Sequence, residues 1–113
     1  KRVAVIGGGP AGMSVAWQLR LAGHEAVIYD PAEKRGGKIS SSIPSSRIPA
    51  DVLDAEIARA REILPHIQTQ KALSADEFAQ IVTDYDYVVL AVGANKPRML
   101  PVPGKELATP ALT

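Results

Sequence analysis

The first apolar run, Val3-Ala4-Val5-Ile6, reads as a strand and breaks at once into glycines. Beyond them Gly12, Ala16, Leu19 and Gly23 recur at i, i+4, i+7 and i+11, which predicts a helix over 13–22 with one narrow face laid on a sheet. Gly23 ends it. Ala26-Val27-Ile28-Tyr29 is a second strand, and Asp30 stands at its end. From Pro31 to Pro49 periodicity is lost among Ser, Gly and Pro, so a long functional or mobile loop is expected there.

Apolar positions return at helical spacing from Asp51 to Leu64, interleaved with charges, and predict an amphipathic crossover helix that Pro65 stops. His66 to Gln70 alternates weakly, as a short edge strand would. Ser74-Ala75-Asp76-Glu77 has the capping-box spacing and starts a short helix. The continuous apolar run Tyr87 to Val92 predicts a strand buried on both faces, ending at Gly93-Ala94. Four strands joined by helical or long crossovers give the α/β class: a doubly wound, Rossmann-like parallel sheet of order 3-2-1-4 with helices on both faces. Strands 1 and 4 then flank the switch point, and a ligand crevice is expected where Gly7 to Gly12 meets Gly93-Ala94.

Gly7, Gly9 and Gly12 have the G-x-G-x-x-G spacing of a dinucleotide-binding turn. Each glycine has its own task. Gly7 makes the tight turn, Gly9 would let a pyrophosphate approach the backbone, and Gly12 would let the helix lie close on the strand. The helix N-terminus would face the phosphates with free N–H groups and its positive dipole end. Asp30 lies near the roughly 20-residue offset expected of a ribose-binding acid. A carboxylate there suits FAD or NAD better than NADP, because it repels a 2′-phosphate. The bland counterpart is a structural glycine turn with Asp30 solvated before Pro31.

Charge and composition narrow the partners. Thirteen basic residues against twelve acidic ones, with no block of either sign, argue against nucleic acid or an anionic membrane. No apolar run approaches a membrane span, and a cytoplasmic protein is expected. The absence of cysteine excludes disulfides, thiolate-held iron–sulfur clusters and a redox C-x-x-C pair within these residues. Neither His24 nor His66 has metal-ligand spacing to another His, Cys or acid pair. Gly36-Gly37 allows either a close ligand approach or a plain turn, and residues alone leave both open. So do Met13, Trp17 and Leu21, which form either an exposed apolar face or a packed one.

With these residues placed, the chain resembles the FAD-binding half of two-dinucleotide flavoproteins, and among them the glutamate synthase small subunit and the dihydropyrimidine dehydrogenase flavin region. The resemblance rests on Val-Ile-Gly-Gly-Gly-Pro-Ala-Gly (5–12), Gly36-Gly37, Ile43-Pro44-Ser45-Ser46-Arg47-Ile48-Pro49, Ala91-Val92-Gly93-Ala94 and Leu100-Pro101-Val102-Pro103-Gly104. It implies a flavoenzyme in which NAD(P)H bound on another domain reduces FAD, and electrons pass on to a redox partner domain or subunit carrying iron–sulfur clusters. Carried over by position, Gly7, Gly9, Pro10, Ala11 and Gly12 would hold the FAD pyrophosphate and Asp30 the ribose. Gly37 and Arg47 would lie along the ribityl chain and flavin ring, with Gly93 and Ala94 at the crevice. Arg47 is alternatively a salt-bridged or solvated loop arginine. The chain departs from the pattern at Ser42, where relatives have Gly, and at Lys38 and the serines after it, where they have apolar residues.

These readings divide the chain into an FAD-binding subdomain over 1–94 and an extended linker over 95–113, leading toward an NAD(P)H-binding domain outside these residues. The abrupt start at the first strand suggests a piece of a longer chain, inactive alone. No residue stands out as an acid, base or nucleophile, which suits chemistry done by a flavin. The alternatives are the NAD-binding domain of an ordinary dehydrogenase and a non-catalytic nucleotide-binding module. Against the first stand the Gly-Pro-Ala-Gly turn and the serine-rich loop.

Overall fold

The computed structural model describes residues 1–32, 36–64, 72–94 and 101–103, and the backbone of 67–69. Its elements are β1 (Arg2–Ile6), α1 (Pro10–Leu21), β2 (Glu25–Asp30), α2 (Lys38–Ser42), α3 (Ala50–Ile63), β3 (Ile67–Thr69), α4 (Ala75–Asp84) and β4 (Tyr87–Leu90). All pairings are parallel, and the strands lie in the order β3-β2-β1-β4. The register sets Ile6 beside Tyr29 on one side and Leu90 on the other. The carboxyl ends of β1, β2 and β4 therefore share one crest.

Alternation along the central strands divides the core between two faces. Val5, Ala26 and Ile28 pack with Ala16, Ala60 and Leu64, so α1 and α3 cover one side. Ala4 and Val27 pack with Ile81 and Tyr85, so α4 covers the other. This is the α/β class expected, with helices on both faces of a parallel sheet. Met13 and Trp17 pack against the first cluster, while Leu21 is exposed. The packed alternative holds for two of the three residues.

Helix α1 begins at Pro10, three residues earlier than the periodicity predicts. Proline suits the first helical position, since its missing N–H would have no partner there and its φ is already helical. At the other end His24 N–H donates to the Leu19 carbonyl (2.9 Å) and Gly23 N–H to that of Arg20 (3.0 Å). With Gly23 at φ +84°, this is a Schellman closure. Helix α4 carries the capping box: Glu77 N–H donates to Ser74 Oγ (3.2 Å) and Ser74 N–H to Glu77 Oε2 (2.9 Å).

Two expectations are corrected. The stretch from Pro31 to Pro49 is not all loop, because Lys38 to Ser42 winds into α2. Nor is the last strand buried on both faces: Tyr87 and Leu90 are 61% and 65% exposed. Among the described residues β4 pairs with β1 alone and ends the strand order, and it stops at Leu90. The reason lies in β1. At Gly7 the backbone turns away at φ +113°, just past the bond from Ala91 N–H to the Ile6 carbonyl (2.8 Å). His66 and most of the expected linker, 95–100 and 104–113, lie outside the described residues.

A polar cluster holds the end of α4 to the sheet. The Tyr29 and Tyr85 hydroxyls are 2.9 Å apart, and the Arg2 guanidinium lies 4.5 Å from the Tyr85 ring centre. Burial, and next the hydrogen bond to Tyr85, push the Tyr29 hydroxyl up to about 12.

Candidate functional site

The crest is built by backbone geometry before any side chain contributes. Gly7 adopts φ +113°, and its N–H donates to the Tyr29 carbonyl (2.8 Å). A Cβ there would lie 2.2 Å from the Ala91 carbonyl oxygen, so β1 and β4 meet at this glycine without space for a side chain. At Gly12 a Cβ would lie 1.9 Å from the Gly7 carbonyl oxygen and 3.3 Å from Val5 Cγ1, which is the close helix–strand approach expected. Gly9 differs. A Cβ at Gly9 would meet nothing within 4 Å, so this position opens outward. Gly9 is also the N-cap of α1 and offers no side-chain cap, and the first turn has no acidic residue. Among the described residues no side chain caps its N–H groups, and the positive dipole end faces the same way.

Asp30 is tied to this turn. Its Oδ2 accepts from Gly8 N–H and its Oδ1 from Ala32 N–H (2.7 Å), so the carboxylate is not merely solvated. Each carboxylate oxygen has further acceptor capacity, so the group can hold its turn and still receive a ligand hydroxyl.

The loop after β2 folds back on the same turn. Gly36 N–H donates to the Gly8 carbonyl (3.4 Å), and a Cβ on Gly37 would lie 3.0 Å from Gly9 Cα. Both glycines have positive φ, at +100° and +55°. Gly36 thus reaches the turn through its N–H, while a Cβ on it would meet the Ser40 and Ile57 side chains, and Gly37 lies against Gly9. Lys38 follows directly, and its ammonium donates to the Ala94 carbonyl across the crest. Gly93, at φ +69°, turns the chain just beyond β4.

The structure thus gathers Gly7, Gly9, Pro10, Ala11, Gly12, Asp30 and Gly37 around one turn and links Ala94 to them through Lys38. Arg47 stands apart on a turn leading into α3, where its N–H donates to the Pro44 carbonyl (2.9 Å) and its side chain is exposed. Sequence reasoning passed over Gly8, which binds Asp30 through its N–H, and Lys38, noted there only as a departure. A cation placed directly after a Gly-Gly pair was the available signal. On the α4 side an apolar cavity of about 440 Å³ opens between Ile6, Tyr29, Leu73, Phe78 and Leu90, touching the crest at the ends of β1 and β2. Among the described residues no helix is long and apolar enough to cross a membrane.

A parallel sheet covered on both faces, with a glycine turn closing β1 onto a helix and an acid ending β2, defines a Rossmann-like domain of the α/β class. Comparison with known proteins gives the family: the chain belongs to the pyridine nucleotide-disulphide oxidoreductases, whose profile matches residues 1–112. It is 37% identical to the glutamate synthase [NADPH] small chain of Mycobacterium tuberculosis, over 93% of this chain and 22% of that protein. It is 34% identical to the NAD-dependent dihydropyrimidine dehydrogenase subunit PreT of Salmonella typhimurium, over 89% of this chain and 25% of that one. Both relatives are oxidoreductases, and the chain spans a quarter or less of their length. A mutant of FprA from Mycobacterium tuberculosis has the same fold, with a TM-score of 0.71 at 20% identity over 93% of this chain and 25% of that chain.

Proposed function

We propose that this chain is the FAD-binding part of an NAD(P)H-dependent flavoprotein oxidoreductase of the cytoplasm. In this reading NAD(P)H binds on another domain, and electrons pass through FAD to a further redox centre. The observation that carries the assignment is the difference among the three motif glycines. Gly7 and Gly12 are filled by the protein's own backbone, whereas Gly9 faces open space at an uncapped helix N-terminus beside a carboxylate. A group with a diphosphate and a ribose fits that set of donors and acceptors.

In this reading Gly9, Pro10 and Ala11 would hold the pyrophosphate through the N-terminus of α1, where Ala11 and Gly12 contribute N–H groups. Asp30 would orient the adenosine ribose while its bond to Gly8 N–H keeps the turn shaped. Gly37, Gly93 and Ala94 would border the crevice, and Arg47 would supply a cation toward the flavin ring from the turn before α3. Bound FAD would supply the hydride and electron transfer. The protein would position it and exclude water around it.

Flavin absorbance of the purified protein, followed by calorimetric titration with FAD and separately with NADH, tests the reading. Preference for FAD is expected. Preference for NADH would assign the turn to an ordinary dehydrogenase, and affinity for neither would remove the cofactor assignment from this chain.

A further inference from the structure

We infer that Lys38 is a diphosphate-binding strap. Its ammonium reaches across the crest to the Ala94 carbonyl and would turn from there to the phosphate oxygens of a bound dinucleotide. The inference rests on the FAD-binding reading above and adds to it a charged group that the glycine motif does not contain.

Three placements carry it. Lys38 follows Gly37, on which a Cβ would lie 3.0 Å from Gly9 Cα, so the lysine rises from one bank of the crevice beside the open glycine. Its ammonium ends on the Ala94 carbonyl, beyond β4 on the other bank, so the side chain crosses the mouth between the β1–α1 turn and the end of β4. Between these banks lies the uncapped N-terminus of α1, whose first turn holds no acid.

The chemistry favours an exchange of partners. A neutral carbonyl is a weaker acceptor for an ammonium than a phosphate oxygen, because the second bond joins two opposite charges. Lys38 is exposed, and its flexible stem carries a point charge that can be re-aimed without moving backbone. The N–H groups of α1 provide only partial charge toward a diphosphate, whereas a lysine adds a full one. Releasing the Ala94 carbonyl costs little, since an exposed carbonyl is rehydrated.

Calorimetric titration of the full chain with FAD, for wild type, Lys38→Met and Lys38→Arg, at low salt and at roughly 0.5 M salt, tests this. Lys38→Met is expected to bind FAD about tenfold more weakly at low salt, with a shallower salt dependence than wild type. Lys38→Arg keeps the charge and is expected within about threefold of wild type. If Lys38→Met binds FAD as wild type does, the strap is wrong and the FAD reading stands. A loss of equal factor at every salt concentration would make Lys38 a structural tie and also overturn it. Wild-type protein without FAD affinity would overturn both the strap and the reading it rests on.

Discussion

A single methyl group added at Gly9 or at Gly12 should produce opposite failures, although the two glycines belong to one motif. At Gly12 the new Cβ would stand 1.9 Å from the Gly7 carbonyl oxygen, while real Cβ contacts essentially never fall below 3.0 Å. The turn cannot yield. Gly7 is held at positive φ by its bond to the Tyr29 carbonyl and pressed against Ala91. Helix α1 must therefore lift by about an ångström, loosening Ala16 from Val5 and Ile28. Overpacking of this kind costs about 1–3 kcal/mol, of which the better helix propensity of alanine returns up to about 1 kcal/mol. A net loss of about 1–2 kcal/mol in a domain of this size lowers the melting temperature by roughly 4–8 °C. At Gly9 the same methyl meets nothing within 4 Å, and φ −74° is open to any residue. Only a weaker N-cap preference is lost, about 1 kcal/mol or less. Thermal denaturation followed by circular dichroism, paired with FAD titration, separates the two. Gly9→Ala should melt close to wild type and bind FAD at least about tenfold more weakly, because the methyl occupies the space left for phosphate. Were Gly12→Ala to melt like wild type, or Gly9→Ala to be the less stable of the two, this division of labour would be refuted.

Asp30→Ala should be impaired in both respects. It strips the part-buried Gly8 N–H of its acceptor, a loss of about 1–3 kcal/mol visible in denaturant titration, and it should weaken FAD binding; unchanged FAD affinity would remove the ribose role. Tyr29 predicts a pH dependence. Its hydroxyl is raised from 10.0 to about 12 in the folded chain, so the folded state favours the protonated form. The corresponding stability is fully present below pH 10 and is lost as pH rises toward 12. Tyr29→Phe should flatten that part of the stability–pH profile, and a profile as steep as wild type would assign the loss to other groups.

The linear chain was sufficient for whatever depends on neighbours in sequence. Hydrophobic period and turn residues located α1, α3, α4 and the central strands to within a few residues, because helix and strand periodicities are local properties. The capping box at Ser74 and Glu77 and the stop at Gly23 were legible for the same reason. Tertiary structure decided what depends on distant neighbours. The run from Tyr87 has the apolar pattern of a buried strand, yet among the described residues it ends the strand order and is exposed, a placement no local pattern encodes. Likewise the glycine spacing proposed a site, but only the fold distinguishes an open Gly9 from Gly7, which meets the Ala91 backbone just beyond β4, and from Gly12, which meets the Gly7 carbonyl and Val5. Gly36-Gly37 and Lys38 join the crest because the loop after β2 folds back over the β1–α1 turn, a contact between residues nearly thirty positions apart. Short-range order was written in residue spacing. Which glycine stays open, and which cation crosses the crest, was set by the packing of segments that sequence keeps far apart.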